Sequence, residues 1–215
     1  MLDEIIGFVH DRVRASTLYF CSILGLLAGL IARVPDGRAQ NTEPGYRNRT
    51  VPQWIKALQT ADAPGRAEAA YCLGQIGPKA ESAVTILQGI AQKDSDNFVR
   101  AEAVYALGKI GPAARSALPS LLLLIKGDSN SGVRGAVATA LGTMGCDSDQ
   151  SVPMLIAALK GDKSAYVRGC AALALGHLGV GARAALPSLR ESAENDPSPI
   201  VRRRADEAIQ RIESA

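Results

Sequence analysis

The side chains with the greatest chemical potential in this chain are few and scattered. There are two histidines, His10 and His177, and four cysteines, Cys21, Cys72, Cys146 and Cys170. A zinc site draws on three or four convergent ligands, usually with short paired spacing, and no C-x-x-C pair exists here. Cys72 is followed at equal steps by Ala106, Ala140 and Ala174, so it has the character of a small buried apolar residue. His177 has no neighbouring cysteine, serine or carboxylate at catalytic spacing in its own helix, and a surface role suits it better than that of a base. A Walker loop, a nucleophile elbow and a dinucleotide fingerprint are all missing from the sequence. The expectation is a protein that is not an enzyme, with no catalytic residues, metal or cofactor.

Charge is the next possible source of function. The formal net charge is +3 over 215 residues, and from Thr50 onward eighteen Lys/Arg face sixteen Asp/Glu. Nucleic-acid binding calls for a concentrated basic face, whereas the one basic cluster is Arg202, Arg203 and Arg204. A nucleic-acid partner is therefore not expected. Asp and Arg recur six residues apart in Asp94/Arg100, Asp128/Arg134, Asp162/Arg168 and Asp196/Arg202. Pairs that persist whatever surrounds them suit a structural tie, either across a turn or between neighbouring units.

Those pairs belong to a repeat. Leu73-Gly74-Gln75-Ile76-Gly77 returns at Leu107, Leu141 and Leu175, each 34 residues after the last. Arg66, Arg100, Arg134, Arg168 and Arg202 keep the same step, and a proline comes early in the units at Pro52, Pro119, Pro153 and Pro187, with Thr85 in the second unit's place and the first unit one residue short before Arg66. Within a unit the periodicity is helical: Leu118, Leu121, Leu122 and Ile125 make one apolar stripe, and Val133, Val137, Ala140, Leu141 and Met144 another. Proline suits the first helical turn, and Gly145 suits a left-handed C-cap. Apolar residues form 47% of the chain and aromatics only 4%, which favours short, closely packed helices. Neither helix of a pair can bury its stripe alone, so the units must stack into one core.

A period of 34 also fits tetratricopeptide repeats, but their Trp-x-x-Leu-Gly-x-x-Tyr pattern does not occur. The stretch Asp94-x4-Val99-Arg100-x2-Ala103-x2-Ala106-Leu107-Gly108-x-Ile110-Gly111 resembles instead the HEAT-like repeat named after phycobilisome lyases. The resemblance covers Thr50 to about Ile212 and implies an all-α fold: an α-solenoid, a right-handed superhelix of five tandem helix pairs at approximately 50–82, 83–116, 117–150, 151–184 and 185–215. The first and last units depart from the pattern at Gly65 and Asp206, as terminal caps of a solenoid do. The family name also raises a rival function, that of a bilin lyase or chromophore-handling factor. Deoxyhypusine hydroxylases of similar build bind iron through His-Glu dipeptides, and this sequence has none.

Ahead of the repeats, Ala15–Ala32 is uncharged and apolar, flanked by Arg12 and Arg14 and by Arg33 and Arg38. An apolar N-terminal helix over residues 1–34 is expected, either a cleaved signal peptide or an uncleaved membrane anchor. Tyr19-Phe20 before Cys21 argues against lipidation. The protein is thus expected to be exported (periplasmic or extracellular) or membrane-anchored, touching a membrane only through this segment. Basic residues on both sides leave the orientation open. Residues 35–49 have the composition of a flexible linker.

With the core helices assigned, the informative positions are those that vary while their surroundings repeat. Opposite the buried stripe of the second helices lie Glu68/Tyr71/Gln75, Glu102/Tyr105/Lys109, Ala136/Thr139/Thr143, Cys170/Leu173/His177 and Arg204/Glu207/Arg211. The resemblance implies that second helices line the concave surface, placing these residues along one groove. The candidate partner-binding residues are Tyr71, Gln75, Tyr105, Lys109, Thr139, Thr143, Leu173, His177, Glu207 and Arg211. The expected function is a non-enzymatic scaffold binding a segment of a protein partner. The convex face around Trp54 and Lys56 is the alternative surface.

Overall fold

A computed structural model describes residues 44–145 and 148–215; the apolar segment and most of the linker lie outside the described residues. Among the described residues the fold is a two-stranded hairpin followed by ten α-helices in alternating pairs. The first helices of the pairs are α1 (Val51–Thr60), α3 (Val84–Lys93), α5 (Leu118–Gly127), α7 (Ser148–Gly161) and α9 (Leu186–Asn195). Their partners are α2 (Ala63–Ile76), α4 (Asn97–Ile110), α6 (Ser131–Met144), α8 (Ala165–Leu178) and α10 (Pro199–Ser214). This is an all-α solenoid.

Local signals set the boundaries. Asp96 and Asn130 cap α4 and α6, each side-chain oxygen accepting from the backbone N–H groups two and three residues on, at 2.7–3.2 Å. Gly145 ends α6 in the left-handed region at φ 61°, ψ 18°, as its sequence position implied. Gly77, Gly111 and Gly179 also have positive φ, but with ψ near −130 to −140°, a conformation closed to side chains with a Cβ. Each launches a 3₁₀ segment (Gly77–Ala83, Gly111–Ala117, Gly179–Ala185) leading into the next first helix. Pro52, Pro119 and Pro187 occupy first turns as expected. Pro153 does not: α7 begins at Ser148, so this proline lies inside the helix.

The linker expected over 35–49 is ordered where the structure describes it. Gly45–Tyr46 pairs antiparallel with Arg49–Thr50. Arg47 and Asn48 both take positive φ, 50° and 58°, the two-residue turn whose twist suits a hairpin. The hairpin is held because it covers an aromatic: the Trp54 indole N–H donates to the Tyr46 carbonyl at 3.1 Å, and the Arg49 guanidinium lies 4.7 Å over the Trp54 ring. Trp54 is consequently 2% exposed, which removes it from the convex surface the sequence suggested.

Curvature follows from residue size. A Cβ placed on Gly74, Gly108, Gly142 or Gly176 would lie 2.7–3.0 Å from the Cα of Ala106, Ala140, Ala174 or Ala208 in the next unit. Backbones of consecutive second helices therefore touch through Gly–Ala seams, which explains the Leu-Gly that recurs in the first four units. First helices have no such seam: a Cβ on Gly89, Gly127 or Gly161 would meet nothing within 4 Å, and these helices bury larger side chains such as Leu87, Leu121, Leu155 and Leu189. Closer spacing on one side bends the stack toward that side, so the second helices line the concave face.

The Asp/Arg pairs bolt the units together. The Arg66, Arg100, Arg134 and Arg168 guanidiniums donate twice, at 2.7–3.0 Å, to Asp94, Asp128, Asp162 and Asp196 of the following unit. Arg100, Arg134, Arg168 and Arg202 also donate to the carbonyl of the aspartate six residues earlier, at 2.7–3.0 Å, tying their own turn. Both structural roles inferred from the spacing are present at once.

Candidate partner-binding groove

The second helices carry the candidate residues on the groove side. Gln75, Lys109, Thr143, His177 and Arg211 are exposed, and Tyr71, Tyr105, Thr139, Leu173 and Glu207 are half-buried. The strip is shallower at its centre than the helical pattern implied. Ala136 and Cys170, read from sequence as facing outward, are buried, because side chains from the next unit fold over the floor. Arg204 lies so close above Gly169 that a Cβ there would sit 2.7 Å from its Nη1. Lys109 and Arg211 lean back over Gly74 and Gly176 in the same manner. Thr143 is tied inward, its hydroxyl within 3.4 Å of the Gly108 carbonyl and 3.2 Å of the Thr139 carbonyl.

The centre of the groove is built around a residue the periodicity did not single out. Tyr166, near the start of α8, crosses the preceding unit above Gly135, where an added Cβ would lie 2.3 Å from its ring. Its hydroxyl reaches the Tyr105 hydroxyl, 3.2 Å away on α4, so one side chain spans three units. The signal lay in two departures from the repeat: Gly135 stands where the second unit has Ala101, and Tyr166 where the third has Gly132. Burial pushes both phenols up. Cys170, beneath them, is pushed up by the same desolvation and Cys72 is raised to about 11, so neither thiol is an activated nucleophile.

Glu102, one turn before Tyr105, is the electrostatic anomaly. It is half-buried, and burial alone raises its carboxyl to about 7. Among the described residues no cation hydrogen-bonds to it. Its counterpart in the first unit, Glu68, accepts from Arg47 Nη1 at 2.8 Å. The charged residues lining the open cleft at Lys160, Asp162, Arg168, Glu191 and Asp196 are paired: they are ladder residues and the Lys160–Glu191 pair at 2.8 Å. Among the described residues no group of three or more His, Cys, Asp or Glu converges as metal ligands would.

Comparison with known proteins agrees with this geometry. The family model for HEAT repeats matches residues 51–142 and 118–210. The chain belongs to the HEAT-repeat family. Among solved structures it is similar to the complex of CpcE and CpcF of phycocyanin lyase from Nostoc sp. PCC7120, at 26% identity and a TM-score of 0.66, covering 84% of this chain and 71% of that one. It shares its fold with human deoxyhypusine hydroxylase, at 19% identity and a TM-score of 0.51, over 77% of this chain and 85% of that one. No curated protein sequence matches the chain.

Proposed function

We propose that this chain is a non-enzymatic interaction module, a right-handed array of five units whose concave groove receives an extended segment of a protein partner. The observation that carries this reading is the Tyr105–Tyr166 bridge across the second helices. It sets two amphipathic aromatics, of the kind that anchor interfaces, in the middle of a solenoid's concave face. The apolar Ala15–Ala32 segment supports export or membrane anchoring of the array. In the test, a photo-reactive amino acid replaces Gln75, Lys109 or His177 in the groove, or Lys56 or Lys126 on the first helices, in the full chain within its own cells. Partner cross-links concentrated at the groove positions and reduced by Y105A/Y166A are expected. Equal cross-linking from the first helices would overturn the reading.

A second reading has its own observation. The similarity to a two-subunit phycocyanin lyase supports a role as one subunit of a chromophore-handling pair. Visible absorbance that co-purifies with the full chain, or appears on adding a free bilin, distinguishes it from the first.

A further inference from the structure

Glu68 and Glu102 hold the same position in adjacent units, each three residues before a groove tyrosine, Tyr71 or Tyr105. In the first unit the hairpin supplies what that pair takes. Arg47 donates to Glu68 at 2.8 Å, stands 5.8 Å from the Tyr46 ring centroid, and lies close enough to Tyr71 for its charge to act on that phenol. In the second unit the pair is kept and the arginine is not. Glu102 has no cation bonded to it among the described residues, and its surroundings are drier than those of Glu68, which remains exposed. Tyr105 feels the charge of Glu102 and is joined to Tyr166. Among the cations of the groove strip, Lys109 leans over Gly74 and Arg204 over Gly169. A half-buried carboxylate without a counter-ion is costly, and a planar guanidinium satisfies both a carboxylate and an aromatic face where an ammonium satisfies the first alone.

We propose that Glu102, Tyr105 and Tyr166 form a subsite for an arginine side chain of the partner segment, the open counterpart of the Arg47 contact within the chain. This rests on the groove reading and names the chemistry it recognises. The test uses the full chain in mild detergent, with its tyrosine rings ¹³C-labelled for NMR. The probes are a capped Gly/Ser octapeptide with one central arginine and its citrulline twin, which keeps the shape and loses the charge. The arginine peptide is expected to shift the Tyr105 and Tyr166 ring signals saturably, with the citrulline peptide binding at least ~5-fold more weakly. E102Q, with unchanged helicity, abolishes that preference, and E68Q retains it. Equal binding of the two peptides, survival of the preference in E102Q, or no response to either overturns the proposal. A response that appears only after Arg33 and Arg38 are changed to glutamine assigns the subsite to the chain's own segment and overturns the partner assignment. Groove cross-links are read without regard to arginine, so their persistence beside a failed peptide test would leave the groove standing without this subsite.

Discussion

The two edges of this solenoid treat charge in opposite ways. Along the turns, Asp94, Asp128, Asp162 and Asp196 are each gripped bidentately by an arginine of the preceding unit, with aspartate side chains 4–8% exposed. Along the groove, equivalent positions change from unit to unit: Glu68 and Glu102 carry charge, Ala136 and Cys170 none, and Arg204 reverses its sign. Where stacking needs a contact at every boundary, the residues repeat. Where only the array's ligand matters, they are free to differ. In a repeat protein, identity across units marks stability and departure from it marks the site.

The largest effect should come from breaking the ladder in mid-array. Asp128→Ala leaves the Arg100 guanidinium, 13% exposed, without its partner, and removing one member of a buried pair costs about 3–5 kcal/mol. Denaturant melts measure it. The same carboxylates predict acid sensitivity. At Asp94 and Asp196 the arginine bonds hold the carboxyl below its ordinary 3.8; at Asp128 and Asp162 burial opposes this and the arginine bonds prevail. A depressed value means the stabilisation is present above the ordinary carboxylate range and lost as pH falls through the folded value. Wild type should therefore lose stability below about pH 4 more steeply than Asp128→Ala; parallel acid melts would sink the claim.

A slightly smaller effect separates the middle of the array from its end. Leu141 is 1% exposed in α6, between two neighbouring units, and truncation to alanine should cost about 2–5 kcal/mol. Ile209 is only half-buried, in the last described helix α10, which among second helices stacks on α8 alone, and Ile209→Ala should cost about 1 kcal/mol. Melts ranking the terminal change as the worse would contradict a nearest-neighbour stack.

The same contrast explains what could be read from sequence. Helix pairs, the core stripe, the C-cap at Gly145 and the two roles of the Asp/Arg pairs were legible, because a 34-residue period samples each position repeatedly. The Gly–Ala seams were visible as letters but not as contacts, since helical periodicity places residues around one helix and says nothing of how near the next comes. Ala136 and Cys170 were misread as outward-facing for a related reason: they do face the groove, and residues 30 or more positions away, Tyr166 and Arg204, cover the floor there. The hairpin escaped notice because Gly, Pro, Asn and Arg suit a linker and a tight turn equally well. Its order comes from Trp54, which a composition argument does not reach.

Within the groove, Glu102→Gln should stabilise the protein, against the general trend for substitutions. The native carboxyl titrates near 7 where an ordinary one titrates at 4.5. A raised acid favours the folded state below its unfolded value, and that advantage fades as pH rises through the folded value. Wild type should thus fall behind E102Q between pH 4.5 and about 7, reaching a deficit on the order of 1–2 kcal/mol at pH 8, since a half-buried group keeps part of its hydration. Melting both proteins at pH 5 and pH 8 tests the sign: a constant difference would mean that the carboxyl is not desolvated.

The smallest effect belongs to the pair in the first unit that Glu102 lacks. Arg47 and Glu68 meet at 2.8 Å, yet their side chains are 39% and 49% exposed. Water screens such a pair and the long side chains lose freedom in making it, so exposed pairs contribute about 0.2–1 kcal/mol. Arg47 is also a turn residue at positive φ, where Arg47→Gly relieves backbone strain as it deletes the charge. The two contributions separate in a pair of variants. Arg47→Gly should be neutral or slightly stabilising, whereas Glu68→Gln should cost under about 1 kcal/mol, with the loss shrinking in 1 M salt as screening removes what the pair supplied. Were Glu68→Gln to cost as much as Asp128→Ala, charge in the groove would be structural after all, and the contrast between the two edges would not hold.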